Sequence, residues 1–191
     1  GDLLVQKFLT IFSILFAGII ILSGCRGDVK KSKAADTITI AIPSEPKRLN
    51  PLFLADLISY SVSGLIFSGL TKFDKDMKIK GDLAESWDIL EGGKKIIFHL
   101  KKNISWHDGS KFSADDVVFT FKTFISSNVA TPLKDSFGPV KEVRALDPYT
   151  VSVSYYKPYG SALESWTVGI IPKHILQDKD IQDTLFDHAP I

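Results

Sequence analysis

The period of the hydrophobic pattern changes twice along the middle of the chain, and each change marks a predicted element. Residues 96–100 (Ile-Ile-Phe-His-Leu) alternate loosely and are rich in β-branched and aromatic side chains, the pattern of a strand. Glu91-Gly92-Gly93-Lys94 before them is a turn sequence, so residues 86–90 and 95–100 are predicted to pair as a hairpin. His107-Asp108-Gly109-Ser110 is a second turn. The period then lengthens: Val117, Phe121 and Phe124 fall on one face of a helix, widened by Val118 and Ile125. Ser113 stands where an N-cap belongs, and Asp115 and Asp116 in the first turn complement the helix dipole.

The same reading extends outward. Residues 71–73 and 78–80 form a hairpin across Asp74-Lys75-Asp76, and 140–146 pairs with 149–155 across Asp147-Pro148. Residues 57–67 read as a helix turned inward through Leu57, Val62 and Ile66. Residues 37–42 alternate as a strand that Pro43 stops, and Pro46 and Pro51 keep the following segment extended and irregular. Beyond Pro158 and Gly160, residues 168–171 read as a short strand, and Pro172 opens a helix at its favoured first position. There is no internal repeat and no low-complexity tract.

The N-terminus differs in kind. Residues 8–22 are apolar apart from Thr10, Ser13 and Gly18, and they lead into Leu22-Ser23-Gly24-Cys25. This run falls short of the roughly 20 residues a membrane span needs, and it looks like a bacterial lipoprotein signal ending in a lipobox. On that reading residues 1–24 are removed and Cys25 takes a lipid, while an uncleaved anchor is the alternative. Residues 26–36 are polar, basic and small, a flexible tether. Cys25 is the only cysteine, which rules out an intramolecular disulfide and a thiolate metal site.

Charge and motif searches remove other classes. Twenty-three basic residues against 22 acidic ones leave a formal charge of +1, and the aromatics lack basic interleaving, so no nucleic-acid partner is expected. His99, His107, His174 and His188 show no metal-ligand spacing, and no metal site or cofactor is expected. Asp74, Asp76 and Glu85 imitate a calcium loop but place Ile79 where glycine is required. His107-Asp108 beside Ser110 is a turn, since a catalytic triad is assembled from distant parts of a chain. No phosphate-binding G-x-x-x-x-G-K-[ST] loop occurs, so an ATPase would be a separate chain. Trp87 reads as a local core residue beside Leu83, with ligand stacking as the rival role; Trp106 is similar.

Between residues 69 and 121 the blocks G-L-T-K-F-D, L-A-E-S-W-D-I, I-I-F-H-L-K-K-N-I-S-W-H-D-G and F-S-A-D-D-V-V-F-T-F follow in order. As an ordered set they resemble the family 5 solute-binding proteins, extracytoplasmic receptors of peptide and nickel ABC importers. The resemblance implies a mixed α/β fold of the type II periplasmic-binding-protein kind, present in part. Residues 37–53 and 167–191 would belong to one lobe, 54–166 to the small additional domain, and the second lobe would lie beyond residue 191. It implies no catalysis: the protein would be exported, anchored at the cell envelope through Cys25, and would pass a peptide or similar small solute to permease and ATPase subunits. Glu45 matches a cavity-lining position in the family's Ser-Glu loop, with Ser44 as its companion. Trp166, close to the lobe crossing, is a third candidate ligand contact. Two rivals are a non-transport receptor or chaperone-like binder and a secreted enzyme.

Overall fold

The computed structural model describes residues 39–182 and 185–190. The signal, Cys25 and the whole tether lie outside them. The polar–apolar alternation of the middle segment becomes a four-stranded antiparallel sheet, β3 (Ala84–Leu90), β4 (Lys95–Leu100), β6 (Thr150–Tyr155) and β5 (Val140–Asp147) in spatial order. A separate two-stranded hairpin, β1 (Thr71–Phe73) and β2 (Ile79–Gly81), precedes it. The predicted 91–94 turn closes β3 onto β4 with Leu90 opposite Lys95, and Gly92 supplies the positive φ of 63° that the turn demands.

Register puts one row of side chains on the core face: Phe98 lies opposite Val151, and Val153 opposite both Ile96 and Val143. Across that face packs α2 (Ala114–Ile125), which buries Val117, Phe121 and Phe124 and leaves Ile125 exposed. The acidic first turn works as expected in part: Asp116 Oδ2 accepts the Ser113 N–H at 2.9 Å. Trp87 meets Phe98 at 6.4 Å and packs against the core, the first of its two readings.

Helix α1 (Leu57–Ile66) lies where the sequence puts it, and Ile66 packs against the core as expected, but Leu57 does not turn inward. Its buried residues are Ser59 and Ser63, whereas Leu57 and Leu65 are 76% and 78% exposed. Hydrogen bonding accounts for the difference. Ser59 Oγ accepts the Lys47 N–H at 2.9 Å and donates to the capping Asp56 at 2.8 Å. Ser63 Oγ donates to the Leu49 carbonyl at 2.8 Å. The loop held this way is fixed on its other side by Arg48, whose Nε donates to buried Asp187 at 2.6 Å while the guanidinium rests on the Phe53 ring.

Two expected strands are revised. Of residues 37–42, 37 and 38 lie outside the described residues and 39–42 carry no strand assignment. Residues 168–171 are extended but belong to no ladder: Ile170 N–H donates to the Ser68 carbonyl, and Ile171 N–H donates to Thr120 Oγ1 at 3.0 Å. Pro172 caps the four-residue helix α3 (Lys173–Leu176) from just outside it.

A polar clasp joins α3 to the start of α2 and to the 107–110 turn. Asp116 Oδ1 accepts the Lys173 N–H at 2.9 Å, and Asp108 Oδ2 meets His174 Nε2 at 2.7 Å while its Oδ1 accepts the Ser110 N–H. Burial pushes the Asp116 carboxyl, 5% exposed, above the ordinary 3.8, against the pull of its two backbone donors. The bond to His174, then the Ser110 N–H, hold Asp108 below 3.8.

The clasp makes two predictions. In a titration followed by carboxyl-carbon NMR, Asp116 protonates above 3.8 and Asp108 below it. A raised folded pKa costs stability as pH rises from 3.8 through that value, so the Asp116→Asn variant loses this downward slope; a wild-type slope retained in the variant would sink the assignment. Thr120, fully buried, donates to the Asp116 carbonyl and accepts from Ile171. Thr120→Val therefore strands a buried N–H and is expected to cost about 1–3 kcal/mol in denaturant unfolding, with Thr120→Ser close to wild type.

Candidate functional site

Trp166 settles where the concave surface lies. Its side chain has no exposed surface; its ring meets Phe98 at 6.0 Å and Phe137 at 5.2 Å, and Nε1 donates to Tyr155 Oη at 3.1 Å. Burial pushes the Tyr155 phenol up to about 12, so it stays a neutral partner for the indole. With the tryptophan fixed from below, the short 3-10 turn Glu164–Thr167 and residues 168–169 are held at the surface. Gly169 permits a close approach there: a Cβ on it would come within 2.7 Å of the Phe67 Cβ and 2.8 Å of Pro51 Cγ.

These elements enclose a cavity of about 170 Å³ between α1, the 3-10 turn Lys134–Phe137 and the 164–169 segment. Its apolar walls include Leu54, Phe67, Leu133, Phe137 and Val168, with Tyr60 at the exposed side. Several lining hydroxyls are occupied by backbone: Ser63 donates to Leu49, Ser165 to Ser161 and Thr167 to Glu164. Tyr60, Ser136 and Glu164 have no side-chain hydrogen-bond or ion-pair partner among the described residues, which leaves them available to something else. An apolar basin with a few uncommitted polar groups has the make-up of a small-molecule site.

The surface at Ser110, Asp116 and His174 is different, because Asp108 and Asp116 already bond to partners within the clasp. Nor is it a hydrolytic triad. There the histidine stands between nucleophile and carboxylate, whereas here the Asp108 carboxylate stands between His174 and the Ser110 backbone. No group of three metal-ligating side chains occurs among the described residues.

The sequence candidates do not converge on the cavity. Ser44 and Glu45 are exposed on the bend before the anchored 47–53 loop and do not line it. Trp166 is corrected from ligand contact to core: it has no accessible surface, does not line the cavity, and packs against Phe137, which does. Cys25 lies outside the described residues. Tyr60, Leu133 and Glu164 were missed. The one hint was Tyr60, Ser63, Gly64 and Phe67 falling at helical spacing along one stripe.

Known proteins share this architecture. The family model described as "Bacterial extracellular solute-binding proteins, family 5 Middle" matches residues 78–191. The oligopeptide-binding protein AppA of Bacillus subtilis is 31% identical over 189 residues, covering 92% of this chain and 34% of that protein. The solved structure of AppA with a nonapeptide superposes with a TM-score of 0.73 at 29% identity, over 76% of this chain and 30% of the other. NikZ of Campylobacter jejuni, solved in complex with Ni(L-His), gives 0.71 at 36% identity, over 77% and 29%. The chain thus spans about a third of the length of the AppA protein it matches. With its sheet-and-helix unit shared with these structures and its residues 78–191 matched by the family model, the chain belongs to the bacterial extracellular solute-binding proteins of family 5.

Proposed function

We propose that this chain is the N-terminal part of the substrate-binding component of an ABC importer, capturing a peptide or related small solute outside the cytoplasmic membrane and delivering it to the permease. The observation that carries this reading is the open cavity framed by α1, the 134–137 turn and the 164–169 segment, in a chain of this family. Residues 37–53 and 167–191 are assigned to one lobe and 54–166 to the additional small domain. A second lobe, supplied by further sequence, closes over the cavity by a hinge motion, and the ligand stabilises the closed form through contacts made only there. Ser44 and Glu45, exposed just before the loop anchored through Lys47 and Arg48, are proposed to meet a ligand when the lobes close. Cys25 carries the lipid that keeps the receptor at the envelope, and two acyl chains suffice for stable anchoring.

Amino-acid-derived solutes are the proposed ligand class. The two related structures hold a nonapeptide and a nickel–histidine complex, both built from amine- and carboxylate-bearing units.

The decisive experiment extends the reading frame at both ends in the source DNA and expresses the whole product. A second lobe of several hundred residues is expected, with saturable peptide binding that stabilises the protein by about 2.7 kcal/mol at a hundredfold excess over Kd. A stop directly after Ile191 would withdraw the transport function. The 191-residue chain by itself, offering one side of the cleft, is expected to show no saturable peptide binding by calorimetry. In cells, Cys25→Ala should shift the protein from the membrane to the soluble fraction; an unchanged distribution would remove the lipid anchor.

A further inference from the structure

We infer that the cavity between α1 and the 164–169 segment is a subsite for a cationic ligand group that also carries an aromatic or branched apolar moiety. This deepens the receptor reading and rests on it for its biological meaning.

Size sets the apolar part. At about 170 Å³ the cavity is close to the roughly 150 Å³ that accommodates benzene in an apolar protein interior, so one Phe- or Leu-sized side chain fills it. Leu54, Phe67, Leu133, Phe137 and Val168 give that group an apolar surround.

The charge of the lining sets the rest. Glu164 is the sole charged residue of the lining; no lysine, arginine or histidine contributes. Its carboxylate has no ion-pair partner among the described residues. The ten-residue α1 ends at Ile66, with Gly64 and the capping Phe67 both in the lining, so the negative end of its dipole lies at the cavity. Tyr60, 55% exposed at the rim, offers a ring face on which an ammonium or guanidinium can rest. The lining hydroxyls of Ser63, Ser165 and Thr167 already donate to backbone carbonyls, which leaves them no proton for an anion. The Tyr60 and Ser136 hydroxyls stay free to donate or accept, so the preference for positive charge rests on the carboxylate and the dipole.

The test uses the 191-residue chain, which contains every residue of the lining. Amide NMR titrations compare phenethylamine, 2-phenylethanol and 3-phenylpropionate, which share one ring and differ in charge. Phenethylamine is expected to shift the amides of Tyr60, Gly64 and residues 164–169, and to bind about three- to fivefold more tightly than the alcohol at low salt. The propionate should be weakest, and added salt should narrow the spread. Glu164→Gln should narrow the gap between amine and alcohol while leaving the alcohol unchanged. Gly64→Leu, at an exposed position where an added Cβ meets nothing within 4 Å, should fill the cavity and abolish all three.

Equal affinity for amine and alcohol in the wild type, shifts centred elsewhere, or a preference undiminished by Glu164→Gln would each overturn the inference. Its failure is separable from that of the transport reading. Charge selectivity in this chain with no peptide capture by the whole product sinks the receptor and spares the subsite; peptide capture without charge selectivity does the reverse.

Discussion

The whole arrangement depends on the burial of one indole. Trp166 touches β4 through Phe98, the 134–137 turn through Phe137 and β6 through its hydrogen bond to Tyr155, so a single side chain registers the sheet against the segment that walls the cavity. Phe137 passes the contact on to Phe121 and Phe124 of α2. Truncating a buried tryptophan costs roughly 3–5 kcal/mol, a large part of the 5–15 kcal/mol that separates folded from unfolded domains. The indole N–H would add a penalty if unpaired, and the neutral Tyr155 hydroxyl removes it. Position and stability of the cavity wall are therefore one property.

The clasp of Asp108, Asp116, Lys173 and His174 adds a second constraint at the opposite end of the 167–173 segment. Between the two, the chain runs extended without a sheet partner, its backbone donors taken by the Ser68 carbonyl and the Thr120 hydroxyl. A segment tied at isolated points in this way can line a concave surface, whereas a strand in mid-sheet would be covered on both edges.

Much of the fold was legible because its signals are local. The 91–94 turn, the acidic cap of α2 and the three hairpins each depend on residues a few positions apart, and each was found where the pattern put it. The two expected strands not found among the described residues depended on a partner that no local pattern specifies. The facing of α1 was misread at Leu57 because hydrophobic periodicity assumes that apolar side chains decide which face is buried. Here two hydroxyls and a carboxylate decided it, by satisfying the backbone of residues 47–49. The site was the least legible part. Tyr60, Leu133 and Glu164 converge from three distant stretches, and none sits in a motif that announces it. Trp166 drew attention as a large aromatic near a lobe crossing, yet the size that suggested stacking is what the core uses.

Helix α1 is locally frustrated: its side-chain hydrogen bonds and its hydrophobic gradient pull in opposite directions, and the hydrogen bonds win. Leaving Leu57 and Leu65 in water forgoes roughly 1.5–3 kcal/mol for each. That free energy becomes available to whatever covers the face, and the helix need not turn to release it, because its orientation is already fixed by Asp56, Ser59 and Ser63. Covering such a pre-set surface would draw its driving force from dehydration and carry a negative heat-capacity change, with the helix arriving already in its bound orientation.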